Sequence, residues 1–446
     1  MLKRPAKGQA LVMGLVVLFM GAIMLFFLFS TGQVSADKQR VTNAADAAAY
    51  SAALWRARVL NYDAYSNRAM IANEVAIAQT LTLASETQYL KNLTLCLAQE
   101  PGDGGVTCTA TISYILQIVP YFTEALTAAS EVITAYDEIL QPVVIGEVEA
   151  RSNLMNRLLS LSQTALDVST NFLAVQTIVD QVSTANDAHF TTKMLPDTFE
   201  GPGGFTKQYS DTDRIRLATL VRQGLDPYSQ SRGFNLTVIP HFCVAGTQTP
   251  GTDLKKRGGT TLDTSLDWYE AADGLSEWDY PASFLKGCPA NESPMGWGDR
   301  QASGSTSDQD TGHVRDNPQA LDYARNATVT PDGYIGIQPF RDLNYAGLNG
   351  SDPQVKNPTA TLGVVTHLSG TNLRTANTLN IGTGRLRMPE SLDRNELSSV
   401  AAAQVYFERP APRADGRVEY PSLFNPYWQA RLTEPTVAQR AEALLL

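Results

Sequence analysis

The stretch ALVMGLVVLFMGAIMLFFLF, Ala10 to Phe29, decides how the rest of the chain is read. It is twenty consecutive apolar residues without a charge. At about 1.5 Å per residue a helix of that length covers about 30 Å, the thickness of a bilayer's hydrocarbon core. Lys3, Arg4 and Lys7 precede it and 417 of the 446 residues follow it. The chain therefore reads as a short N-terminal segment, a single membrane helix and a large body. A cleaved signal peptide is the competing reading, since Val34-Ser35-Ala36 offers small residues to a peptidase. Signal h-regions run only about 7–15 residues, which favours an uncleaved anchor. The three leading basic residues place residues 1–9 in the cytoplasm and the body outside, although Lys38 and Arg40 beyond the span make the bias modest. Ala10, Gly14 and Gly21 form a small-residue face on which membrane helices can approach closely.

Beyond the three leading cations the body carries 32 Lys+Arg against 45 Asp+Glu, a net −13. No basic run interrupts this balance, which argues against nucleic acid or anionic lipid as the main partner. The four cysteines fall in two regional pairs, Cys96 with Cys108 and Cys243 with Cys288. In an extracytoplasmic body such pairs are expected as disulfides. Four buried thiols in a reducing compartment would be the other outcome.

After a polar collar at Ser30–Gln33, the chain from Val34 to Tyr89 contains no Gly or Pro and is rich in alanine. This predicts a long helix emerging from the membrane. Ala44, Ala45, Ala48 and Ala52 form a smooth stripe suited to close packing, read here as an assembly surface. Pro101–Gly105 marks a turn, helical spacing returns over 109–140, and 145–187 reads as one amphipathic helix. Its apolar face would be Leu154, Leu158, Leu161, Ala165, Val168 and Phe172. Composition changes near Pro196: 19 of 23 prolines and 24 of 32 glycines lie at or beyond it. That shift places a domain boundary there. Strand-like runs are predicted at 235–244, 333–340, 361–367 and 404–409, with a polar loop over 293–316. The expected architecture is α+β: transmembrane helix 10–29, helical stalk or bundle 30–195, and a mixed α+β extracytoplasmic domain 196–446.

The segments GQALVMGL (8–15) and STGQVSADKQRVTNAADAAAYSAALW (30–55) resemble the N-terminus of the TadE/TadG-like proteins of Flp (tight-adherence) pilus assembly. The shared order is a Gly-Gln-Ala start, a membrane helix, a polar turn, and a basic segment leading into Ala44-Ala45-Asp46-Ala47-Ala48. AAAQVYFERP (401–410) and PSLFNPYWQARL (421–432) are similar to the C-terminal region of the larger members. The resemblance implies an inner-membrane, pseudopilin-like component of an envelope secretion or pilus machine, with other assembly proteins as partners through the N-terminal helix. If Gly8 preceded a prepilin-peptidase cut, Met13 would be the fifth mature residue, where pilins carry glutamate. A lipid-buried amine without a counter-charge is costly, so the resemblance points to an accessory subunit rather than the repeating one.

Catalytic signatures are thin. No G-x-S-x-G, G-x-x-x-x-G-K, H-E-x-x-H or G-x-G-x-x-G occurs. His189, His241, His313 and His367 are scattered; His241 and Cys243 are too few for a zinc site. Asp263-Thr264-Ser265-Leu266-Asp267 approaches the von Willebrand A metal motif, but a helix N-cap explains it more simply, and RGGTT before it lacks the apolar run of a buried strand. Asp211/Asp213 and Asp308/Asp310 read as solvated loop charges. The expectation is a non-enzymatic structural protein without cofactor, metal or small-molecule substrate. An anchored sensor or ligand-binding protein and an anchored envelope hydrolase are the alternatives.

Overall fold

A computed structural model describes residues 9–97, 132–136, 138, 146–197, 199, 204–227, 229, 233–262, 269–301, 316–327, 335–345, 358–374 and 396–445. The fold is α+β. One uninterrupted helix, α1 (Gln9–Leu97), takes in the apolar stretch and the alanine-rich segment after it. The chain divides into two compact units, each assembled from separate segments and each taking in part of α1. The first comprises Met1–Ala64, Thr164–Lys207 and Asp342–Leu446; the second comprises Tyr65–Gln163 and Gln208–Arg341. The boundary expected at 195/196 thus falls inside the first unit, and the expected stalk contributes to both. The reason lies in burial: the alanine face is covered by strands far along the chain, so it cannot be a free-standing bundle.

The first unit is built on a four-stranded antiparallel sheet in the order β1 (Phe190–Leu195), β10 (Ala360–Leu368), β11 (Leu397–Phe407), β12 (Trp428–Thr433). Cross-strand register sets Leu362 opposite Ala403 and Val364 opposite both Ala401 and Met194. These side chains share a face and form one core with Ala45, Ala48, Ala49, Ala52, Ala53 and Leu60 of α1. Val175 and Val179 of a short helix α3 (Phe172–Asn186) complete it. Alanine suits this role because a methyl group lets a helix backbone lie close to a sheet. The opposite face is approached by α6 (Val437–Ala443), whose capping box is Thr436 with Gln439. A Cβ added at Gly363 of β10 would lie 2.9 Å from Gln439 Nε2, so glycine is what admits that side chain.

The second unit holds another four-stranded antiparallel sheet, β3 (Phe234–Ile239), β6 (Gly251–Leu262), β7 (Tyr269–Tyr280), β8 (Asn291–Gln301). β6 and β7 form a hairpin in full register, from Gly251 opposite Tyr280 to Leu262 opposite Tyr269. Strands β6 to β8 were not legible as strands, because their charged and glycine residues mimic a loop. RGGTT lies within β6, and the first part of the expected polar loop, up to Gln301, is β8. Pro294 is tolerated because β8 is an edge strand and its register shifts there. The short helix α4 (Ile215–Gly224) buries Leu217, Ala218 and Val221. A further helix, α5 (Pro318–Ala327), packs on β7 and β8, with Leu275, Met295, Trp297, Ala320 and Ala324 as the core. α1 contributes Tyr89 to that cluster. A Cβ at Gly296 would fall 2.1 Å from the Ser85 carbonyl oxygen, so only glycine permits this approach to α1.

The remaining sequence expectations divide. β10 covers the run at 361–367, and β11 ends within 404–409. The run at 235–244 becomes β3 and the short β4 (Cys243–Val244), which pairs with β5 (Thr247–Gln248). For 333–340 the strand starts only at Phe340, as β9 (Phe340–Leu343), paired with β2 (Thr206–Tyr209). The helix expected over 145–187 is two helices, α2 (Gly146–Val168) and α3, separated at Asn171, whose side chain accepts from the Ala174 amide as N-cap. The buried face of α2 is polar, carrying Ser152, Asn156, Ser160 and Gln163. Asn156 donates to Glu74 at 2.9 Å and Gln163 to Asn67 at 2.7 Å. Leu154, Leu158, Leu161 and Val168 are exposed among the described residues. Apolar spacing marked a face of α2, but α1 offers that helix amides and a carboxylate rather than methyl groups. The turn at 101–105 and the helical spacing over 109–131 lie outside the described residues.

Candidate membrane-anchoring and assembly segment

The first twenty residues of α1 differ from every other described helix. From Leu11 to Phe29 its large apolar side chains are exposed except the half-buried Phe26, with Met13 at 72% and Leu28 at 70%, and none of this window is buried. Aqueous solvent would make such a surface unfavourable, at about 25 cal/mol for each Å² of apolar area left wet. The helix is long and apolar enough to cross a membrane. A Cβ built at Gly14 or Gly21 meets no atom of the described residues within 4 Å. Among the described residues the small-residue face of Ala10, Gly14 and Gly21 is thus open along its length.

From Ser30 onward the same helix turns into the first unit, and polar side chains fasten it there. Asp37, buried, accepts from Arg40 at 3.1 Å and from the Arg374 backbone amide at 2.9 Å. Arg40 also pairs with Asp187 and lies 5.6 Å from the centre of the Phe190 ring. Asp187 is held below the usual carboxylate range, first by the backbone amide of His189, then by the side chains of His189 and Arg40. Lys38 donates to the Ser398 carbonyl. The two cations that weakened the sequence's charge bias are therefore engaged with the protein itself.

Next come the alanines. Ala44, Ala45, Ala48 and Ala52 are all fully buried against strands of the first unit. The stripe read as an assembly surface is occupied by the chain's own sheet, because its methyl groups match the flat face of β10 and β11. Burial raises the pKa of Asp46 within this run. The segment closes with Trp55, whose indole donates to the Ser169 carbonyl at 3.0 Å, and with Arg56. Arg56 donates to Asp197 at 2.6 Å and to the Thr170 carbonyl from two nitrogens, at 3.2 and 3.1 Å. Its guanidinium also stacks 4.4 Å from the Phe199 ring centre. Nothing in local spacing marks Arg56 or Asp197; only the fold brings together residues 141 positions apart.

An apolar projecting helix that continues directly into the alanine face of a folded core is the arrangement on which the comparison falls. Residues 8–57 match the Flp pilus-assembly TadE/G-like family model. The TadE/G-like match thus covers both the projecting helix and the alanine face, and ends one residue after Arg56. It does not extend to 401–432. No curated protein and no solved structure matches the chain. With the exposed apolar helix, the TadE/G-like segment fits a membrane-associated component of pilus assembly.

The remaining candidate residues lie elsewhere. Cys243 and Cys288 form a disulfide across 45 residues, so Cys243 cannot serve as a thiolate ligand with His241. His241 instead stacks on Tyr280, with ring centres 3.6 Å apart. Cys108, and with it the pairing to Cys96, lies outside the described residues, as do His313, Asp263 to Asp267, and Asp308/Asp310. Asp211 and Asp213 belong to a 3-10 turn, Asp211–Arg214. His189 bonds Asp187 at 2.9 Å, and His367 faces Glu396 at 3.2 Å. Among the described residues no group of three or more His, Cys, Asp or Glu is placed to hold a metal.

Proposed function

We propose that this chain is a non-enzymatic, membrane-anchored accessory component of a bacterial Flp/Tad-type pilus or related secretion apparatus. In this reading α1 holds it in the inner membrane with residues 1–9 in the cytoplasm, and both folded units are periplasmic. The observation that carries the reading is the coincidence of the TadE/G-like match with the exposed apolar helix. The Cys243–Cys288 disulfide supports an oxidising compartment for the body. Ala10, Gly14 and Gly21 are the proposed contact with a partner's membrane helix, where small residues allow close packing.

Met13 bears on filament membership. A repeating subunit processed after Gly8 would bury each terminal amine in an apolar environment, and methionine supplies no counter-charge. The protein is accordingly expected to be plentiful in the inner-membrane fraction and scarce in sheared pili. Quantitative mass spectrometry of the two fractions tests this, with intact mass giving the mature N-terminus. Stoichiometric abundance along purified filaments would overturn the accessory reading.

A further inference from the structure

The C-terminal part of the first unit holds a cleft of about 560 Å³, away from the anchor and floored in part by Phe407 of the core. It lies between the end of β11, the segment 408–420 that follows, and β12. Four guanidinium groups line it: Arg409, Arg413, Arg417 and Arg431.

Two of these cations are already neutralised. Glu419 Oε1 accepts from Arg413 at 2.9 Å and from Arg409 at 3.3 Å. Asp415 receives Arg413 as a two-pronged fork, at 2.8 and 2.7 Å. Those hydrogen bonds from Arg413, before any other influence, lower the Asp415 carboxyl to about 2. They also make the segment a braced wall. The other two cations have no carboxylate partner among the described residues. Arg417 is exposed. Arg431 lies 4.4 Å from the Tyr406 ring centre and, with the Gln404 amide oriented to accept, donates to its oxygen. The braced segment itself adds a second demand: Glu419 Oε2 is buried and receives no hydrogen bond from any described residue. A buried carboxylate oxygen without a donor is unfavourable, and a ligand hydroxyl would supply one.

The volume falls in the range of small-molecule sites, about 300–1,000 Å³. Guanidinium forks match planar oxyanions, and stacking on tyrosine keeps Arg431 oriented. We propose that this cleft binds an acidic saccharide, its oxyanion facing Arg417 and Arg431 and a hydroxyl donating to Glu419 Oε2. Free phosphate fits less well, because it would leave most of the cleft empty and would bring further negative charge toward Glu419. An apolar ligand would answer neither demand.

The test uses the full chain in detergent and calorimetric titration with a galacturonate trisaccharide, the neutral galactose trisaccharide and inorganic phosphate. The acidic trisaccharide is expected to bind at least tenfold more tightly than either of the others. Arg417→Ala should weaken it at least tenfold with an unchanged melting temperature, because that exposed side chain braces none of the described residues. Arg431→Gln should weaken it as well. Absence of binding, equal affinity for the neutral sugar or for phosphate, or an Arg417→Ala variant that binds as the parent does would overturn the proposal.

Discussion

Arg56 and Asp197 meet at 2.6 Å with side chains only 1% and 2% exposed. The pair joins the end of the TadE/G-like segment to the chain that follows β1. The Thr170 carbonyl and the Phe199 ring complete the surroundings of the guanidinium. Ions this deep are tolerated only because every partner is present. Removing one leaves the other charged and dry, at a cost of about 3–5 kcal/mol. Arg56→Met is therefore expected to destabilise the first unit by about that amount. Asp197→Asn added to it should recover part of the loss, as read by denaturant melts of single and double variants. Equal, fully additive losses would mean the two residues act independently.

The alanine face makes a second prediction. Ala48 is fully buried in the main core of the first unit. Ala48→Leu adds three carbons to a space already filled and should destabilise the fold by about 1–3 kcal/mol. The loss should appear in the isolated protein, before any partner is added. A leucine variant that melts with the parent but fails to support piliation would restore the stripe to an assembly role.

Gly296 sets the approach of β8 to α1. A methyl group there would overlap the Ser85 carbonyl, and backbone cannot swing aside as a side chain does. Gly296→Ala should lower the melting temperature of the second unit. Gly287→Ala is a control for composition alone, since a Cβ there meets none of the described residues within 4 Å, although its positive φ adds some strain. A Gly296→Ala variant as stable as the parent would show that the strand can shift at little cost.

The pH dependence of the second unit should carry the signature of Asp273. Burial, the dominant effect, pushes its carboxyl up to about 7, partly offset by Lys256 at 3.4 Å. Between the unfolded value near 4 and that raised value the folded state binds the extra proton. Stability then falls as pH rises through this window and levels off above about 7. Asp273→Asn cannot ionise and should flatten the slope between about pH 4 and 7 in thermal melts. A slope unchanged in the variant would assign the dependence to other groups.

The Cys243–Cys288 bridge closes a loop of 45 residues. Chain-entropy arguments assign about 4 kcal/mol to a loop of this size. Replacing both cysteines with serine should lower the stability of the second unit by a few kcal/mol under oxidising conditions and leave it insensitive to reductant. A parent protein equally insensitive to reductant would contradict a structural role for the bridge.

The sequence by itself determined whatever depends on neighbours along the chain. Twenty uncharged apolar residues specify a helix suited to a bilayer, the absence of Gly and Pro to Tyr89 carries that helix onward, and the TadE/G-like order is a linear pattern. Val364, Val365 and their neighbours announce β10 because a strand covered on both faces is a run of apolar residues. Only the tertiary structure decided what those elements face. Ala48 could not reveal whether its methyl group meets a partner or the chain's own sheet, since small size permits both. The polar side of α2 is the buried one because α1 presents Asn67 and Glu74 to it, a match between residues 82 and 96 positions apart. β6 and β7 carry charges that look solvated in sequence, yet Lys256 and Asp273 are buried beside one another, with Glu86 of α1 neutralising the lysine. Charge pairing over such distances in sequence leaves no local periodicity, which is why these strands and the Arg56–Asp197 pair become visible only once the chain is folded.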